Sequence, residues 1–282
     1  MSDYIELHAR SAFSFLRGAS QPEAMADRAG QLDLPGVALC DRDGFYGSVR
    51  FHQRSLENGF RAVVGTELSM TDGSVLPLLI RNRRGYRGVS RLITRAQLRS
   101  PKGECLLAWS ELEEVVDDVA VLTGDDEGPL DAAWKRGGPG EMERAMKQLK
   151  RYVPEQRLWV EVQRHSIRGE EAKVRAKRDL AAAYGLPLLA TNGPCYAVPK
   201  NRQVQDVFTC LRLHSTLDAA GRELAVNSER HIKAGSMMTQ LFHDLPEAVI
   251  NSVRLFEQLD FSLEKLGYEF PQYSVPPGHS MD

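Results

Sequence analysis

The chain has 282 residues, 42% of them hydrophobic and 26% charged, with a formal net charge of −2. This composition fits an ordinary globular protein and the size fits a single α/β barrel of roughly 250 residues. No apolar run approaches the roughly 18 residues of a membrane span and no signal peptide opens the chain, so a cytoplasmic protein is expected. Cys40, Cys105, Cys195 and Cys210 lack C-x-x-C spacing, which points to reduced thiols rather than a disulfide framework or zinc ribbon.

In chain order, short apolar runs predict strands at 4–8, 36–40, 62–67, 76–80, 119–122, 158–162 and 187–191. Most are near-continuous in apolar residues, as parallel strands covered on both faces are. Ser20-Gln21-Pro22-Glu23 reads as a capping box with proline in the first turn, opening a helix through about Leu32. The turn Thr71-Asp72-Gly73-Ser74 lies between two of the strands and predicts a hairpin, an antiparallel excursion in the sheet. Helices follow at 141–152 and 170–184, the second stopped by Gly185. Further helices are expected at 203–212, 236–241 and 246–259, and the proline-rich stretch 268–278 reads as a linker. These alternating units predict an irregular (β/α)7 TIM-like barrel over 1–235, with a short helical extension and linker over 236–282. An open doubly wound sheet is the alternative.

Charge is unevenly spread. Between 81 and 102 every charged residue is basic, and between 110 and 131 every one is acidic. The two stretches are expected to be solvated faces or to pair with each other. The sharper alternative has Arg81, Arg83, Arg84 and Arg87 contacting DNA or a partner.

In a parallel barrel, functional groups collect at the carboxyl ends of strands. Here those ends carry His8 and Arg10, Asp41 and Arg42, Glu67, Asp125, and Gly193 and Cys195. A divalent metal cluster needs His and carboxylate donors, whereas guanidinium groups have no lone pair to give and would pair with the carboxylates instead. At Arg10 the guanidinium stands where an H-x-H pair would need its second His.

The run Glu6-Leu7-His8-Ala9-Arg10-Ser11-Ala12-Phe13-Ser14-Phe15-Leu16-Arg17-Gly18 resembles the opening of the PHP (polymerase and histidinol phosphatase) domain. Cys40-Asp41-Arg42-Asp43-Gly44 and Val64-Gly65-Thr66-Glu67 share that resemblance. Glu161-Val162-Gln163-Arg164-His165 and Ala190-Thr191-Asn192 narrow it to the amino-terminal PHP domain of bacterial DNA polymerase III alpha subunits, in particular the error-prone branch.

The resemblance implies a PHP barrel and, in active members, a trinuclear metal site. Position by position, His8 and Glu67 are kept and Asp125 replaces a Cys. Arg10, Arg17, Arg42, Gln97, Gly193 and Cys195 stand where other ligands belong. No catalytic residue and no metal or cofactor is therefore expected. His8 is read as a hydrogen-bonded barrel histidine, His165 as a satisfied polar residue, and His231, His243 and His279 as surface residues. Arg10, Arg17 and Arg42 are expected to replace the metals electrostatically by bridging Asp41, Glu67 and Asp125, or else to bind a phosphate-bearing ligand. The implied role is a structural one in translesion DNA synthesis, replication and repair. Expected partners are the polymerase core of the same or parent chain, with DNA and translesion factors possible, and no membrane. The parent architecture is a nucleotidyltransferase, yet no palm carboxylate pair is present in this chain. The rivals are an active phosphoesterase or 3'-5' exonuclease holding Zn or Mn at His8, Glu67 and Asp125, and a free-standing adaptor.

Overall fold

The computed structural model describes residues 4–266. Among these residues, seven strands form a single curled sheet in chain order. They are β1 (Glu6–Ala9), β2 (Gly36–Arg42), β3 (Arg61–Ser69), β4 (Val75–Ile80), β5 (Val119–Leu122), β6 (Leu158–Val162) and β7 (Leu188–Ala190). Helices α1 (Pro22–Gln31), α2 (Ser48–Glu57), α3 (Arg83–Arg99), α4 (Pro129–Tyr152) and α5 (Glu170–Ala183) alternate with them. After β7 come α6 (Arg202–Arg212), α7 (Leu217–Ala220), α8 (Gly235–Leu241) and α9 (Pro246–Phe256).

The hairpin expected at 71–74 is present and has a further consequence. β4 pairs antiparallel with β3 and again with β5, so it alone runs against the others. The remaining neighbours are parallel, and six strands therefore deliver their carboxyl ends to one rim. Among the described residues no ladder joins β7 to β1. Loop and side-chain bonds close that seam: the Arg10 N–H donates to Pro194 O (2.9 Å), Ala19 N–H to Cys195 O (2.7 Å) and Asn192 N–H to Glu6 Oε2 (2.9 Å).

An inner cluster draws on every strand, including Leu7, Cys40, Val63, Leu79, Leu122, Trp159 and Leu189. Leu255 and Leu259, at and beyond the end of α9, close it where the strands begin. Val249 of α9 and Met238 of α8 share a second cluster with Val37 and Phe51. A third cluster seats α3 and α4 against β3 to β6. The helical segment after 235 thus packs into the same cores as the barrel strands.

One local expectation needs correction. Ser20 does not cap α1: Gln21 occupies that position without a side-chain bond, and Ser20 Oγ instead accepts the Ala197 N–H at 2.9 Å. The proline at the first helical position removes one of the orphan donors a cap would satisfy, leaving Ser20 available for the loop. The helix expected from 141 is present: the non-helical pair Gly137 and Gly138 separates it from a shorter helical run that opens at Pro129. Gly185 does terminate α5, in the left-handed region at φ +64°, with the Leu186 N–H turned back to Ala181 O. The linker 268–278 lies outside the described residues.

Candidate functional site

The carboxyl rim gathers charge from distant parts of the chain into one buried network. His8 sits at its centre, fully enclosed. Its Nε2 lies 2.8 Å from Glu67 and its Nδ1 lies 2.8 Å from Glu161. Burial alone would push the imidazole down, but the carboxylates of Glu161 and Glu67 outweigh it and push it up to about 10, so His8 is an imidazolium at neutral pH.

Arg10 leaves the same strand two residues later. Its guanidinium pairs with Asp125 and, through Nε, with Glu67 at 3.2 Å. Arg42, at the end of β2, holds the other Glu67 oxygen through Nε at 2.8 Å and Glu127 through Nη2 at 2.7 Å. Arg17, in the loop after β1, meets Glu127 at 2.8 Å and is partly exposed. A fourth guanidinium arrives from beyond the strands: Arg230 Nη2 lies 3.1 Å from Asp125 and 3.3 Å from Asp126.

With His8 protonated, the cations His8, Arg10, Arg17, Arg42 and Arg230 face the anions Glu67, Asp125, Asp126, Glu127 and Glu161, and Asp126 is shared with Lys173 at 3.1 Å. The titration directions follow. Burial would raise Glu67, yet Arg10 and Arg42 hold it far below the usual carboxylate range. Burial likewise opposes ionisation of Asp125, and Arg10 and Arg230 overcome it. Arg17 is lowered by burial and by the neighbouring charge of Arg42.

The remaining positions fall elsewhere. Asp41, expected among the ion pairs, is instead held by neutral donors. It accepts from Ser11 N and Oγ and from Ser14 Oγ, each at 2.9 Å, and from Gly47 N at 3.2 Å, while burial raises its pKa. Gln97 is on the exposed side of α3, at the lip of a cleft of about 410 Å³ lined also by Phe15, Arg17, Arg42 and Tyr46. Gly193 adopts φ +56° against the Gln163 side chain, and buried Cys195 accepts from Arg230 Nη1 at 3.7 Å. His165 is buried with Nε2 against Asn192 O at 2.8 Å and is driven down to about 3, first by burial and then by Arg230. His231, read as a surface residue, is buried, with Nδ1 2.9 Å from Ser228 O; the following chain folds back along the segment after β7. His279 lies outside the described residues.

The basic stretch pairs with the acidic one. Arg84 reaches Asp118 (2.9 Å), Arg95 reaches Glu114 (2.6 Å) and Arg99 reaches Glu111 (2.6 Å). Arg81 and Arg83 donate to the backbone oxygens of Asp117 and Leu266, which leaves Arg87 with no carboxylate partner among the described residues.

Residues overlooked in the sequence are Glu6, Glu127, Glu161, Asp126 and Arg230. Glu6 and Glu161 did carry a signal, since each is a lone acid inside an apolar strand run, where an unpaired charge is costly. Glu127 is disguised by the acidic run around it, and Arg230 by its loop.

Both His8 nitrogens are committed to carboxylates, and Glu67 and Asp125 are saturated by guanidinium groups that would repel an incoming cation. Among the described residues no group of three or more His, Cys, Asp or Glu is arranged to hold a metal ion.

The PHP domain profile matches residues 6–165, more than half of the chain. The chain belongs to the PHP domain family. Over 292 aligned residues it is 36% identical to the error-prone DNA polymerase of Brucella abortus, covering 99% of this chain and 25% of that polymerase. It is 35% identical over 291 residues to that of Mycolicibacterium paratuberculosis, covering 99% and 27%. The error-prone polymerase of Dechloromonas aromatica is 33% identical over 288 residues, covering 99% and 26%. This PHP domain therefore spans about a quarter of the length of these relatives. Among solved structures, an amidohydrolase from Chromobacterium violaceum aligns over 67% of this chain and 86% of its own, with a TM-score of 0.47 and 16% identity. The lesion-specific endonuclease PfuEndoQ of Pyrococcus furiosus aligns over 68% of this chain and 48% of its own, with a TM-score of 0.44 and 14% identity. At such identities neither speaks to the chemistry of this PHP domain. No helix among the described residues is long and apolar enough to cross a membrane.

Proposed function

We propose that this PHP domain is a non-catalytic, structural part of an error-prone DNA polymerase, with a family metal pocket rebuilt as a closed ion-pair network. One observation carries the reading: Arg10 and Arg42 both sit on Glu67, and Arg10 also takes Asp125, so cationic side chains occupy the space that metal ions would need. Buried carboxylates left by a lost metal cluster each require a compensating charge, and this arrangement supplies it from the chain itself. The domain would then support the polymerase core in cytoplasmic translesion synthesis, with DNA and translesion factors as further partners, while nucleotidyl transfer takes place elsewhere in the polymerase.

The test is a full-length polymerase carrying this domain, assayed with a single-stranded DNA end and Mn²⁺. Asp125→Asn is expected to lower thermal stability and DNA synthesis together, and neither parent nor variant hydrolyses the end through this domain. Hydrolysis that disappears with Glu67→Gln at unchanged stability would overturn the proposal in favour of a metal-dependent exonuclease.

A further inference from the structure

Helix α6 is built inside out. Amphipathic helices normally turn the apolar stripe to the core and the polar one to water. Here the buried face is Asp206, Thr209 and Cys210, with Arg202 pairing Asp206 at 3.2 Å. The outward face carries Val204, Val207 and Leu211, which are 40%, 43% and 56% exposed. Spacings of three and four place these three side chains in one row. Leu217 of the neighbouring α7 is likewise exposed, at 52%. On α9, by contrast, Ala248, Val249 and Leu255 face the core and Ile250 alone of its large apolar residues is exposed. A row of aliphatic side chains facing water on a helix whose polar face is buried marks an interaction surface rather than scattered exposure.

Two observations say what covers it. The polymerases that match 99% of this chain are about four times its length, so most of each relative's polypeptide lies outside the structure and has to meet this domain somewhere. In addition, Arg212 closes α6 with no carboxylate partner among the described residues, on the side of Arg17. A partner surface that presents aliphatic side chains to the row and an acid to Arg212 would satisfy both.

We propose that the α6–α7 face is the seat of the remaining polymerase polypeptide, docked by an apolar patch bearing a carboxylate for Arg212. The proposal rests on the structural role stated above and assigns it a surface.

Hydrogen exchange of this chain alone and of the full-length polymerase carrying it tests the assignment. The amides of 205–212 are expected to exchange at least about tenfold more slowly in the full-length protein, on the scale of a local opening closed by docking. Val207→Glu with Leu211→Glu is expected to abolish that difference while leaving the melting temperature of the chain alone within about one degree, as for surface changes. Equal exchange of α6 in the two proteins, with slowing on another face, would overturn the docking site but keep the structural role. No slowing anywhere in the domain would overturn both. A dimer of the chain alone, seen by light scattering and abolished by the two substitutions, would assign the face to a second copy and overturn the proposal.

Discussion

Replacing Arg10 by methionine removes a guanidinium whose side chain is 4% exposed and whose partners, Glu67 and Asp125, are 0% and 3% exposed. Methionine keeps most of the volume, so the effect isolates the charge. Breaking a buried pair at one partner typically costs about 3–5 kcal/mol, because the other charge stays buried without compensation. Here both carboxylates keep some cover. Glu67 retains Arg42 and His8, each at 2.8 Å, and Asp125 retains Arg230 at 3.1 Å. The lower end of the range applies, about 3 kcal/mol, which for a domain of this size lowers the melting temperature by roughly 6–12 °C. Calorimetry at pH 7 on Arg10→Met, Asp125→Asn and the double variant measures it. The double variant should recover part of the loss, with a coupling of about 1 kcal/mol or more, because Asp125→Asn removes the charge that Arg10→Met strands. A melting temperature for Arg10→Met within a degree of the parent, or strictly additive losses, would refute the reasoning.

Arg17→Met should behave differently, losing less than about 1 kcal/mol, since the Arg17 and Glu127 side chains are 28% and 38% exposed. A loss comparable to that of Arg10→Met would mean that the rim pair Arg17–Glu127 is held as tightly as the enclosed members of the network. The pH dependence has opposite signs at two groups. Glu67 is depressed, so its contribution is present above the unfolded value of about 4.3 and fades as acid is added; His8 is raised to about 10, so its contribution is complete below about 6.5 and is lost as the pH climbs towards 10. His8→Gln should flatten the alkaline fall in stability between about pH 6.5 and 10, and an unchanged alkaline limb by chemical denaturation would contradict an imidazolium at this site. Gly47→Ala should destabilise by about 1–3 kcal/mol, as overpacking does, because the added methyl would run into the Asp41 carboxylate and Ser11 Oγ; a thermally neutral variant would show that the Asp41 cradle is soft.

The barrel and its polar rim were legible because their signals are local. Each strand is a short apolar run, and the residue following it marks the rim. The hairpin turn at 71–74 gave the direction of β4, although nothing local announced that β4 would also run against β5 across the whole of α3. Pairing of the site was legible only in part. That guanidinium groups at 10 and 42 seek carboxylates follows from their chemistry, whereas the choice of Glu127 over Asp41 depends on where the loop after β5 folds. Asp41 is shielded by Ser11, Ser14 and Gly47, short-range donors that leave no room for an arginine. Arg230 was illegible for a simpler reason: it lies more than a hundred residues from Asp125, in a stretch with no periodicity of its own.

The most direct test of the account is the metal content of the purified, tag-free chain after dialysis against Zn²⁺ and Mn²⁺, read by elemental analysis. A structural or catalytic metal site retains close to one equivalent or more under such conditions, and the ion-pair network predicts less than about a tenth. Stoichiometric metal that is lost on replacing His8 or Glu67 would contradict the account and restore the pocket to metal chemistry.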